Sequence, residues 1–167
     1  MKFFTTTLLI ALLSFQTSFG QDTTKLINTA WTTLKTQIQI RTDVVNNLTI
    51  ILSKSNKVDK ELLNNAELFS IDLYKYIDTL NFIKWGSISL ARHKNDKLER
   101  ALSEVLAIIQ NDDKPTTNNQ LQGLLLKLRA CNSKIHSAKM VYDELCNELG
   151  RDDLIFGRYV YMPQPKF

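Results

Sequence analysis

The chain has 167 residues, 44% hydrophobic and 23% charged, which excludes a disordered polymer and supplies the core of about one domain. Its net charge of +4 comes from Lys and Arg scattered among acids, with no basic cluster, so nucleic acid is excluded as the expected partner. Five Gly and three Pro leave few breakers, which favours long uninterrupted helices.

The chain opens with Lys2, an apolar stretch from Phe3 to Phe15, and Ser18-Phe19-Gly20 with small residues at both positions that signal cleavage requires. This is the pattern of a secretory signal peptide over residues 1–20, with Gln21 as the first mature residue. It predicts export to the periplasm or cell envelope. The competing reading is an uncleaved N-terminal anchor, although the stretch is shorter than the ~20 apolar residues that span a bilayer.

Residues 21–150 carry helical periodicity. Asp22 or Thr23 can cap a first helix whose seam is Ile27, Trp31, Leu34, Ile38, Arg41, Val45, Leu48 and Leu52. Alternating steps of four and three make this a heptad repeat with a guanidinium on its apolar line. A polar turn at Lys54-Ser55-Asn56-Lys57 leads to a second helix capped near Asp59, with Leu62, Ala66, Phe69, Leu73, Tyr76, Leu80 and Ile83 as its seam. Gly86 and Ser87 weaken that helix, and the polar run Arg92 to Asp96 reads as a break. Asp96-x-x-Glu99 then reads as a capping box opening a short third helix with Leu98, Leu102, Val105 and Ile109 inward. Asp112-Asp113-Lys114-Pro115 is a turn. Thr117-x-x-Gln120, with Asn118 and Asn119 competing as caps, opens a fourth helix whose seam runs Leu121, Leu124, Leu128, Cys131, Ile135, Ala138, Tyr142, Leu145 and Leu149, with Gly150 as its stop. The tail, 151–167, is expected to be irregular and to dock back through Phe156, Tyr159, Tyr161 and Phe167. Short links between helices predict an all-α, elongated up-and-down antiparallel bundle: helices one, two and four long, helix three shorter.

Chemical motifs are sparse. His93 and His136 have no flanking ligand pattern, and no nucleophile elbow or phosphate loop occurs, so no metal, no cofactor and no enzyme activity are expected. Cys131 and Cys146 fall on one helix about 22 Å apart. A disulfide needs Cα atoms within ~7 Å, so both are read as free, packed thiols. Arg41 has two readings. Folding helices one and two about Asn56 and Lys57 places it opposite Asp72, predicting an Arg41–Asp72 pair that fixes register. Alternatively, Arg41, Asp43 and Asn47 form a polar pocket for a small ligand.

The stretch Ala30-Trp31 … Arg41-x-Asp43-Val44-Val45-x-Asn47-Leu48 resembles the first-helix signature of the LemA family, A-W-x-x-[VI] … R-x-D-L-[IV]-P-N-L-V. Asn46 stands at the family's Pro and Thr49 at its final Val. Leu98, Ala101, Leu102 and Leu106 fit the family's third helix. Asn132 to Ile135, Lys139, Tyr142 and Asp143 follow its last-helix pattern E-N-R-I-x-x-x-R-x-x-Y-N in diverged form, and Phe167 agrees with its aromatic ending. The resemblance implies a non-enzymatic helical bundle of the bacterial envelope, associated with the membrane through its N-terminus. Such a protein would act as a scaffold or interaction module for envelope protein partners. Its long seams can close within one chain or by self-association between two. The alternative is the small-ligand binder built around Arg41.

Overall fold

The computed structural model describes residues 2–54, 58–80, 83–110 and 118–157, with side chains from residue 23 onward except at 85. Among these residues are four α-helices and no strand: α1 (Lys2–Ser53), α2 (Lys60–Asp78), α3 (Trp85–Gln110) and α4 (Asn119–Glu148), followed by a 3-10 turn at Asp152–Leu154. They form an up-and-down antiparallel bundle. α1 is central, packed along α4 on one side and α2 on the other, and α3 packs along α2. The α3 and α4 backbones stay more than 8 Å apart among the described residues, and the 3-10 turn touches both. The fourth side of the bundle is therefore open.

Every seam residue assigned to the first helix, Arg41 included, is buried. α1 runs unbroken through Asp22 and Thr23, so neither caps a helix start there. Exposed Thr29, Thr32, Thr33 and Thr36 bond their hydroxyls to carbonyls four residues back, which keeps these helix-indifferent residues compatible with α1.

The α2–α3 boundary differs from the sequence expectation. α2 ends at Asp78, where the Thr79 hydroxyl takes the Tyr76 carbonyl and the Thr79 N–H takes that of Lys75. Its buried line is Leu63, Ala66, Ser70, Leu73 and Ile77, partly displaced from the expected one. α3 begins at Trp85 and passes through Arg92–Asp96 without a break, giving 26 residues against 19 for α2. The shorter helix is thus the second, not the third. The polar run conceals a seam of Ile88, Ala91, Asn95, Leu98, Leu102 and Val105, all buried, with Asn95 as its one polar member. Glu99 lies inside α3 and caps nothing.

α4 starts from Asn118, whose side chain accepts from the N–H groups of Gln120 and Leu121. At its other end the Gly150 N–H bonds to Asn147 and the Arg151 N–H to Cys146, with Gly150 at φ +64°, a Schellman stop. Cys131 and Cys146 are both free and buried. Residues 55–57 and 111–117, where turns and the Thr117 cap are expected, and the aromatics Tyr159, Tyr161 and Phe167 lie outside the described residues. Among the described residues no helix is long and apolar enough to cross a membrane.

Candidate functional site

The open side between α3 and α4 is a cleft of about 560 Å³, within the usual range for small-molecule sites. Its floor includes Arg41, only 2% exposed. Arg41 Nη2 donates to Asn95 Oδ1 at 2.5 Å and Nη1 to Glu99 Oε1 at 3.3 Å, while Asn95 Nδ2 donates to the same Glu99 oxygen at 2.9 Å. Asn95 and Glu99 are one turn apart on α3, so a single helix face presents both acceptors. No Cα of α1 comes within 8 Å of one in α3. The guanidinium reaches across the bundle's diagonal, and only a side chain as long as Arg or Lys could do so.

The expected Arg41–Asp72 pair is not formed. The register behind it is correct: Ser70 Oγ donates to the Thr42 carbonyl and Lys35 Nζ to the Asp78 carbonyl, so α2 does place Asp72 at the level of Arg41. The direction is different. Arg41 points inward across the core, whereas Asp72 faces out and binds Lys94 of α3 at 2.5 Å. Asp43 and Asn47 do not join Arg41 in a pocket either. Both are exposed, and the Asn47 amide bonds back to the Asp43 carbonyl of its own helix.

Burial lowers the Arg41 pKa from its ordinary value, and the Glu99 carboxylate opposes that shift. The group keeps its charge, as arginine does throughout the physiological range. Its compensation is incomplete. Glu99 is 54% exposed, so water weakens the pair, and among the described residues no group accepts from the buried Nε–H.

The cleft walls combine both charge signs. Arg92, Asp96, Ser103, Leu102 and Leu106 come from α3, and Asn132, Ile135, His136 and Lys139 from α4. One end is closed by the chain after α4. The Phe156 and Gly157 N–H groups donate to the two carboxylate oxygens of Asp143 at 2.7 and 2.9 Å, and the Tyr142 hydroxyl donates to the Leu154 carbonyl. The Phe156 ring lies 5.9 Å from that of Trp31, which lies 5.7 Å from that of Tyr142. A Cβ at position 157 would approach Asp143 Oδ2 to 2.5 Å, so any other residue there would displace the Asp143 carboxylate. Asp143 is 6% exposed. Desolvation raises its pKa against the lowering effect of the two N–H bonds and of Lys139 and Arg92 acting through space.

Seam spacing identifies Arg41 but not Asn95, Glu99, Arg92 or Lys139. The one available signal was Asn95, which continues the Leu98–Leu102 line backward at heptad spacing. Compared with known proteins, the chain matches no family model, no curated protein and no solved structure.

Proposed function

We propose that this is an exported, non-enzymatic bundle protein that binds a small polar ligand in the cleft between α3 and α4. The observation carrying this reading is a buried, incompletely satisfied guanidinium at the floor of an open, mixed-charge cleft. A purely structural bundle would lose nothing if Arg41 and Asn95 were replaced together by apolar residues. Binding is favoured over catalysis because the cleft's one hydroxyl, Ser103, donates to the Glu99 carbonyl of its own helix rather than to His136. The residues that carry the LemA resemblance support the same site. Arg41, Leu102, Leu106, Asn132, Ile135 and Lys139 line the cleft, while Trp31, Tyr142 and Asp143 hold the segment that closes it. The leader pattern and that resemblance together support placement in the envelope.

Ser103→Trp, on the exposed cleft wall, fills the site. In a thermal-shift screen of small anions and zwitterions, the chain is expected to yield ligands that raise its Tm, and Ser103→Trp to abolish the shift. Ligands whose shift survives Ser103→Trp would remove the cleft from consideration. N-terminal sequencing of protein from an envelope fraction should begin at Gln21.

A second reading, a scaffold for envelope protein partners, has its own observation. An apolar groove of about 490 Å³ runs between α1 and α4, lined by Ala30, Thr33, Ser137, Ala138 and Val141 among others. Exposed Met140 and Leu126 lie on the same helix as Val141. A photocrosslinker at Val141 should capture a defined partner that one at exposed Glu67 does not. Equal labelling from both positions would count against the groove.

A further inference from the structure

We propose that the cleft's ligand is a zwitterion bearing an apolar group, an amino acid or short peptide with a carboxylate, an ammonium and an aliphatic or aromatic group in that order along the cleft. The inference rests on the cleft reading above and comes from how charge is distributed along α3 and α4. These helices are antiparallel, so the residues facing the cleft fall into successive levels. At the end closed by Phe156 and Gly157 are two cations, Arg92 from α3 and Lys139 from α4. Both act through space on Asp143, but the two oxygens of Asp143 are held by backbone N–H groups, and neither cation belongs to a salt bridge among the described residues. Both side chains are half-buried, so an oxyanion between them would be partly shielded from water.

One to two turns further along α3, roughly 6–10 Å, the cleft changes sign. Asp96 and Glu99 line this level. Glu99 bonds Arg41 and Asn95 through Oε1, and its other oxygen makes no hydrogen bond among the described residues. A second anionic group at this level would meet the Glu99 carboxylate, which disfavours polyanions such as nucleotides. An ammonium would be attracted, and the two levels are spaced as the termini of a short peptide are, while a free amino acid would draw the long Arg92 and Lys139 side chains along the cleft toward it. Beyond this level the α3 side of the lining turns apolar, with Leu102 and Leu106. Burial of an aliphatic or aromatic side chain there would strengthen binding. Arg41 lies beneath the middle level. Its fork is occupied by Asn95 and Glu99, so it positions Glu99 and does not hold the ligand's carboxylate.

Isothermal titration of the chain with leucine, leucyl-leucine, N-acetylleucine, leucinamide and glycine tests each part. Leucine or leucyl-leucine should bind, the tighter of the two identifying a free amino acid or a peptide as the source. N-acetylleucine, leucinamide and glycine, which lack the ammonium, the carboxylate and the apolar group, should each bind at least about tenfold more weakly. Arg92→Gln/Lys139→Gln should weaken leucine or its dipeptide by a similar factor while leaving leucinamide unchanged. Urea unfolding of the same variant confirms that the fold is intact. Leucinamide binding as well as leucine would overturn the carboxylate site, and N-acetylleucine doing so would overturn the ammonium site. Should none of these probes bind while another ligand's thermal shift is still lost in Ser103→Trp, the zwitterion proposal falls and the cleft reading stands. If no ligand responds to Ser103→Trp, both fall.

Discussion

Arg41 shows how a polar residue on a seam can be read from spacing while its partner cannot. Heptad position requires burial, and reflection about the α1–α2 turn correctly gives the facing level. Spacing does not say which helix a long side chain reaches across a core, and the partner proved to be Asn95 on the diagonal helix. Arg41→Met should destabilise the chain by about 1–2 kcal/mol, since Asn95 is left buried without its partner. Arg41→Met/Asn95→Leu removes both polar groups and should unfold in urea at or above the wild-type midpoint, because well-packed apolar replacements of buried charge are often neutral or stabilising. A double variant less stable than the single would show that the network holds the fold together. Asp143 yields a pH prediction. Its folded-state pKa lies above the ordinary carboxylate value, so the folded state binds the proton more tightly than the unfolded chain. The charged form therefore opposes folding above the folded pKa. That loss is relieved as pH falls through the raised value and is fully relieved below the unfolded one. Asp143→Asn does not titrate, so the stability of wild type relative to this variant should increase as pH drops from neutral into the carboxylate range, measured by urea unfolding at each pH. A flat difference would show that the shift is absent.

At the scale of elements, the first and fourth helices were legible because their seams are apolar throughout or nearly so, and because Asn118 and Gly150 are strong end signals. The α2–α3 boundary was not. Thr79 to Lys84 contains neither Gly nor Pro, and Leu80 and Ile83 continue the apolar period across a real break. In α3 the opposite happens: a genuine seam is masked because Asn95 replaces an apolar residue within a charged run. Helix ends here are set by local hydrogen bonds of modest strength, which residue type encodes only partly. Gly150 is the exception. Its φ of +64° lies where a Cβ is disfavoured, so Gly150→Ala should cost about 1 kcal/mol in urea unfolding, with Gly150→Asn costing less. Equal stability of all three would mean the Schellman turn is dispensable.

At the scale of the whole molecule, the described residues close the bundle on three sides by helix packing and on the fourth by the segment after α4. Ending the chain at Gly150 removes Leu154 and Phe156 from the core, a loss of about 3–6 kcal/mol at the usual value of 1.5–3 per buried side chain. Hydrogen exchange should accelerate most in α3, whose backbone among the described residues comes close to that segment and not to α4. Uniform acceleration in all helices would instead indicate global destabilisation. The all-α class, the antiparallel order, the register of α1 on α2, the burial of Arg41 and the two unpaired thiols follow from the sequence by itself, because heptad spacing, link length and end signals are local quantities. The cleft between α3 and α4, the Arg41–Asn95–Glu99 network and the Asp143 closure were decided only by tertiary structure. Each joins residues 13 or more positions apart through the orientation of side chains across a packed core, and periodicity along one helix carries no information about that orientation.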